Sequence, residues 1–452
     1  MVDFRFSAAA EAFRAEVRAF LAGALSPDAV AGHDDPTDLT GLGEDVERRL
    51  HRAAGERGWL RLGLEGDWER RAVFDHEVAY ADAPLVDTAV TLAGQALAAF
   101  GSGWQLDLLE RMAAGEVTAC IAYSEEGAGS DLTAVEATAT PVGATDGSGA
   151  TEASGPSGAP GSAPLPEGWV LRGTKVLVTG AHKADWCLTI ARTRPDEPAR
   201  RALSMFVVDM RAPGVEVVRR PTMNGWTLGD VVFHDVRLGP EALLGTLHGG
   251  WKQLVAAVAA ERTGMFWIGF ARHALDLLVE HVRTAERDGR PLADDPLARD
   301  TVGRLALDLE AGDRLARRAL WSQAQADAPG PTPPQPAAGT GGAVPGGDDA
   351  GGGGPVHSGR GVPAPALAAM AKVVATELLQ DIAQAATELA GPAGLAWAPP
   401  FAPPDAVPPG AAAGGRLAWE YLERVHGTIS VGANELQRDT IAQLGLGLPR
   451  GG

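Results

Sequence analysis

The chain has 452 residues, 45% hydrophobic and 6% aromatic, which is material for two or three domains' worth of core. Its formal charge of −19 opposes nucleic acid and anionic membrane surfaces as partners. Cys120 and Cys187 are the only cysteines and make neither a disulfide framework nor a zinc-ligand spacing, so no metal is expected. The opening MVDFRFSAAAEAF lacks the basic-then-apolar layout of a secretion signal, and the longest apolar run, LVAAVAA at 254–260, is too short for a bilayer. The expectation is a cytoplasmic protein.

From residue 7 to about 118 the apolar residues fall at steps of three and four, as in Phe13, Val17, Phe20 and later Trp104, Leu108, Leu109, Met112. That spacing predicts helices with one buried stripe and a helical domain over 1–118. From VTACIAYS to VVFHDVRL the texture becomes short β-branched runs (GWVLRGTKVLVTG, DWCLTIART, LSMFVVDM, VEVVRR) divided by Gly, Pro and Asp turns. These predict a β domain over 119–240. Helical patterns return at 250–286, 297–326, 366–390 and 417–447, giving a C-terminal helical domain over 241–452. Three stretches dominated by Gly, Pro and Ser or Ala, 141–168, 329–365 and 398–415, predict disordered surface insertions, because such segments bury too little apolar surface to offset their ordering entropy. The order α, β, α defines an α+β fold.

Two motifs carry chemistry. CIAYSEEGAGSDL at 120–132 reads as a strand running into a Gly-rich turn, where Gly127 and Gly129 let the backbone approach a ligand and Ser130 and Asp131 offer polar groups. GTKVLVTGAHKADW at 173–186 ends a strand at Thr179 beside Gly180. Each alone is as well explained by an ordinary turn.

In sequence with SMFVVDM, PGVEV, ERTG, RPLADDP, ELAGPAGL and GANELQRDTIAQLGLGLPR, however, these motifs resemble the acyl-CoA dehydrogenase family over nearly the whole chain outside the insertions. The likeness extends to its actinobacterial branch associated with steroid and branched-lipid side chains. The resemblance implies an N-terminal helical domain, a central β domain and a C-terminal four-helix bundle that oligomerises as a homo- or heteromer. It implies FAD as cofactor, an acyl-CoA substrate, and electron-transfer flavoprotein or a similar acceptor as partner. Carried over by motif, Tyr123, Ser124 and Ser130 meet flavin or pyrophosphate, and Thr179 bonds the flavin ring. Arg287, Gly391 and Gly394 hold the FAD of a neighbouring subunit, and Glu435, in the first turn of the last helix, caps or meets cofactor.

In many members of the family the turn ahead of that helix, here ISVGANELQRD at 429–439, also supplies the catalytic Glu one residue before its Gly. Val431 stands in that place, and a valine cannot accept a proton. Other members put the base in a Glu-Arg pair on the first C-terminal helix, matched here by Glu261-Arg262. Leu254, Val258, Glu261, Met265 and Ile268 are spaced four, three, four and three, which predicts Glu261 on the apolar stripe of one helix, where burial strengthens a carboxylate as base. Arg262 keeps its charge in check.

The chain departs from the family pattern at several points. Leu177 replaces the usual aromatic two residues before Thr179, Ala433 and Glu126 replace the usual Thr and Pro, the segment after Arg287 is shortened, and the Pro and Gly-Gly loop is missing around 62–74. A catalytic dehydrogenase using Glu261, a non-catalytic or FAD-supporting partner subunit, and a flavin monooxygenase on the same fold all remain compatible with these residues.

Overall fold

The computed structural model describes residues 5–31, 42–85, 89–143, 166–259, 264–327 and 362–449. The N-terminal third is helical, with α1 Ala8–Ala24, α2 Glu44–Glu56, α3 Trp68–Tyr80, α4 Gly94–Phe100 and α5 Trp104–Ala113. Ser7 starts α1 by accepting a hydrogen bond from the Ala10 N–H. The stripe read from the sequence is the buried one: Ala10, Phe13, Val17 and Leu21 face inward. There Phe13 and Phe20 meet the Trp59 ring edge-on at 5.6 and 5.2 Å.

The middle third is one sheet, built from β1 Ala119–Ala122, β2 Thr138–Val142, β3 Gly168–Thr179, β4 Trp186–Arg192, β5 Leu203–Asp209, β6 Val215–Pro221, β7 Thr227–Leu238 and β8 Leu243–Leu244. The strand order is β6-β7-β3-β2-β4-β5-β8, and β1 lies parallel beside β4. Trp169, Leu171, Val178, Phe206 and Phe233 form its core together with Cys120 and Cys187. The two cysteines are register partners, both fully buried and free.

The last third packs α6 Gly250–Ala259, α7 Met265–Thr284, α8 Pro296–Asp327 and α9 Ala364–Ala390 with the short α10 Arg416–Glu423 and α11 Asn434–Thr440. This is the α+β architecture expected, with helical N-terminal domain, central sheet and C-terminal helical bundle. No helix among the described residues is long and apolar enough to cross a membrane.

Two expectations are corrected. The pattern over 250–286 is not one helix: Gly264, at φ +79, sits in the left-handed region between α6 and α7, a conformation no helix interior accommodates. The spacing across that break therefore does not join Leu254 to Met265 and Ile268 in one continuous stripe, and Glu261 itself lies outside the described residues. Segment 398–415, expected to be disordered, is packed. The Ala398 N–H donates to the Gly415 carbonyl, and Ala398 and Ala412 are buried, so alanines supply contacts that the surrounding Gly and Pro conceal. Of the other two insertions, 144–165 and 328–361 lie outside the described residues.

Buried charge joins the three layers. Asp82, just past α3, accepts from Arg416 at 2.5 Å and from Arg424 at 2.9 Å, and both arginines also bind Glu420. Burial would raise the Asp82 pKa, but Arg416, His273 and Arg424 outweigh it and hold the carboxyl at about 2. Asp82, His273 and Glu420 have metal-ligand spacing, yet the Arg416 guanidinium already reaches all three. The β domain is tied to the N-terminal helices by Asp185, gripped by Arg48 from α2 and by Arg211. It is tied to the C-terminal bundle by Asn224, whose side-chain N–H donates to the buried Glu423.

Candidate cofactor site

The sheet end that carries the first motif is shaped by a buried ion pair. Lys175 on β3 is fully buried, its Nζ 2.7 Å from Glu125 Oε1 and 3.3 Å from the Tyr123 carbonyl. Burial pushes the ammonium's pKa down and Glu125 opposes that. Glu125 also accepts from the Glu136 and Ala137 N–H groups, so one carboxylate pins both ends of the loop 125–137. The Val176 N–H donates to the Ser124 carbonyl at 2.9 Å, laying this loop beside β3.

A register shift between Lys175 and Val178 turns both of them inward and leaves Leu177 and Thr179 outward. Leu177 is 63% exposed at φ 57, its N–H bonded to Asp230 Oδ1. Tyr123 and Ser124 are half-buried, while Ser130 and Thr179 are exposed. The backbone of this sheet end and loop is open to the approach a cofactor would need: a Cβ built on Gly127, Gly129 or Gly180 meets nothing within 4 Å.

The turn 429–434 belongs to the bundle. Thr179 pairs with Leu228 in the sheet, two residues from Trp226, whose ring lies 6.1 Å from His426, and His426 begins the stretch that leads to the turn. Val431 there has φ 55, an outlier for a β-branched residue. Lys372 of α9, 1% exposed, donates to the Gly432 carbonyl at 3.1 Å and to Asn434 Oδ1 at 2.7 Å. Asn434 Nδ2 in turn reaches Thr376 and Glu377. Gln437, also buried, donates to the Gly432 carbonyl, and its Oε1 has no partner among the described residues. As read from the sequence, a helix starts at Asn434; Ala433 ahead of it gives no side-chain cap, and Glu435 is exposed in its first turn.

The remaining residues form a separate group. Arg287 stands on a hairpin, Glu286–Arg287 against Arg290–Pro291, closed by Asp288 and Gly289 at φ 53 and 71, the two-residue turn that Asp-Gly favours. Its Nη2 donates to the Leu389 carbonyl at 2.7 Å, beside Gly391 at the end of α9 and near the buried Gly394. Nineteen residue steps along α9 and its C-cap separate Lys372 from Gly391, roughly 28 Å at the α-helical rise. Tyr123 and Ser124 thus lie beside β3, the strand that ends at Thr179, with Ser130 on the loop that follows them, while Arg287, Gly391 and Gly394 meet far along α9 from the turn. Glu261 and Arg262 lie outside the described residues.

Comparison with known proteins agrees with this organisation. The acyl-CoA dehydrogenase middle domain matches residues 120–236, and the C-terminal domain of the same family matches 248–338 and 357–446. Acyl-CoA dehydrogenase IpdE1 of Mycobacterium tuberculosis is 29% identical, covering 97% of this chain and 98% of that protein. IpdE1 of Mycolicibacterium smegmatis is 31% identical over 64% of this chain and 73% of its own length. A solved structure described as the Tcur3481-Tcur3483 steroid ACAD superposes with a TM-score of 0.76, at 23% identity and full coverage of both chains. The chain belongs to the acyl-CoA dehydrogenase family, close to its actinobacterial members, and so to the flavin-dependent oxidoreductases of acyl-CoA thioesters.

Lys175, Lys372, Glu125 and Glu423 were not legible as candidates, since lysine and glutamate are ordinarily exposed. One signal was available for Lys372: it shares a helical face with Ala368, Ala375, Thr376 and Leu379, all buried.

Proposed function

We propose that this protein is an acyl-CoA dehydrogenase that introduces a trans α,β double bond into an acyl-CoA thioester, with Glu261 as the base and Arg262 moderating its charge. Tyr123, Ser124, Ser130, Thr179 and Glu435 would hold FAD in the same chain, and Arg287, Gly391 and Gly394 would hold that of a neighbouring subunit. Bound FAD supplies the acceptor for the β-hydride. Glu261 would take the α-proton onto a carboxylate oxygen, and Thr179, at the end of β3, would orient the ring.

The observation that carries this reading is where the chain resumes after Glu261. Gly264 packs on Ala371, a Cβ built on it lying 3.1 Å from that methyl group, and the next residue is Lys372, which holds the turn where Val431 replaces the expected carboxylate. The described chain thus resumes, at Gly264, against the helix that holds the turn, which supports a base carried by the Glu261-Arg262 pair. Electron-transfer flavoprotein or a similar acceptor fits as partner.

Adding acyl-CoA anaerobically to the flavin-loaded protein should bleach the flavin. In Glu261→Gln the flavin should stay bound and the rate of bleaching should fall by roughly 10²- to 10⁴-fold. Bleaching at the parent rate would remove Glu261 from the mechanism. The second reading, a partner subunit supporting FAD in another chain, is favoured by the valine at 431 and the exposed aliphatic Leu177. It predicts flavin uptake only on co-expression with a homologous chain.

A further inference from the structure

Val431 is held where its side chain opposes the backbone. A β-branched residue is disfavoured in the left-handed region, and such strain persists only where the surroundings over-determine it. The residues on either side of Val431 are not strained into place by chain connectivity alone: a neighbouring helix holds the turn through hydrogen bonds. Lys372 Nζ takes the Gly432 carbonyl and Asn434 Oδ1, and Gln437 Nε2 takes the same carbonyl at 3.2 Å. Thr376 and Glu377 take Asn434 Nδ2 at 3.1 and 2.9 Å from their Oγ1 and Oε1. Arg438 closes the set on Glu377 at 2.5 Å.

Asn434 is the residue type that ordinarily caps a helix start with its own side chain. Here its side chain is 2% exposed and committed to α9, so the first turn of α11 has no side-chain cap from Asn434 or Ala433. The Lys372 ammonium is the donor that draws both the Gly432 carbonyl and the Asn434 side chain down onto α9.

We propose that Lys372 is a positioning residue for the cofactor: its hydrogen bonds to the Gly432 carbonyl and Asn434 Oδ1 fix the 431–434 turn in its left-handed path and keep that turn's outward face available to FAD. This rests on the flavoprotein reading above. An ammonium is suited to the task because it donates in three directions, and charge-assisted bonds to carbonyl oxygens are stronger than those a neutral amide makes.

The test is FAD titration of the flavin-free full chain, followed by flavin fluorescence, with the visible spectrum of the bound flavin and the melting temperature of the flavin-free chain recorded alongside. Lys372→Met fills the same space without a donor and should raise the FAD dissociation constant by about tenfold and change the shape of the flavin bands. Lys372→Gln keeps N–H donors without the charge and should recover part of the affinity. Parent affinity and spectrum in K372M would overturn the proposal. So would equal losses in K372M and K372Q matched by equal drops in melting temperature, the pattern of a residue that only supports the fold. If K372M is insoluble, Asn434→Leu, which removes the acceptor on the other side, has to show the loss, and unchanged FAD binding there overturns the proposal. A parent chain that takes up no FAD refutes the flavoprotein reading itself and this proposal with it, whereas a parent that binds FAD as tightly as K372M refutes this proposal alone.

Discussion

The sheet end and the 429–434 turn are both organised from below by a buried lysine, at 0% and 1% exposure, yet the two regions use that charge differently. At the sheet end Lys175 faces a carboxylate, Glu125, which passes the constraint on through two backbone N–H groups. At the turn Lys372 works directly on a backbone carbonyl and an amide side chain. The first arrangement sets a loop whose glycines already permit its path. The second holds a valine in a path that glycine would adopt freely. Both lysines stand close to left-handed backbone, Leu177 at φ 57 and Val431 at φ 55, and both reach a backbone carbonyl; what differs is that a carboxylate neutralises the first and an amide side chain shares the second.

The largest expected effect tests the first half of that contrast. Lys175→Met leaves Glu125 buried without its cation and should cost about 3–5 kcal/mol in denaturant unfolding. Adding Glu125→Gln should restore much of it, since a neutral pair carries no uncompensated charge. If the single and double variants unfold alike, Lys175 and Glu125 are not coupled.

Next in size is a pH effect at the seam between sheet and bundle. Burial pushes Glu423 up to about 8, with Arg424 opposing the shift. A carboxyl raised above its unfolded value of 4.5 stabilises the fold fully below pH 4.5, and that contribution is lost as pH rises through 8. Glu423→Gln should therefore melt higher than the parent at pH 9, with the gap shrinking toward pH 5. Asp82 has the opposite sign: held at about 2, it stabilises above its ordinary 3.8, and that contribution is lost as pH falls through 2. A parent chain whose melting temperature is flat between pH 5 and 9 would contradict the Glu423 assignment.

A smaller change probes the strained turn. Val431→Gly should relieve the left-handed strain and stabilise the chain by up to about 1 kcal/mol, the gain reduced by glycine's larger unfolded-state entropy. A net loss of stability would mean the Val431 side chain packs better than its backbone suggests. Smallest of all for folding is Arg287→Ala, because Arg287 is exposed and its bond to Leu389 is a surface contact. Stability should barely move while FAD retention drops, and equal flavin content in variant and parent would remove Arg287 from the cofactor site.

Much of this was legible in the sequence because periodicity reports burial directly. The α, β, α order, the Phe13 and Val17 face of α1 and the start of α11 at Asn434 all follow from spacing and breakers. The nearness of Tyr123 and Ser124 to the strand that ends at Thr179 was legible only through motif order, since a strand end and a Gly turn say nothing alone about meeting. What stayed hidden depends on partners distant in sequence. Gly264 interrupts a helical run that periodicity joins, the Ala398 and Ala412 contacts sit inside a composition that reads as disorder, and a buried lysine is indistinguishable from a solvated one until its acceptors are placed.

The Asp82 cluster bears on how the chain is made. Its carboxylate lies behind α3 in the N-terminal third, but the two guanidiniums that neutralise it are 334 and 342 residues downstream. At about 5–20 residues per second of synthesis, Asp82 emerges from the ribosome on the order of tens of seconds before Arg424 exists. Until then that acid lacks the two arginines that neutralise it and the helices that carry them, so the surface of the first domain around Asp82 stays uncovered until residues 416–424 are made. A nascent chain stalled before residue 416 should bind chaperones or be proteolysed near α3, and one released after residue 424 should not.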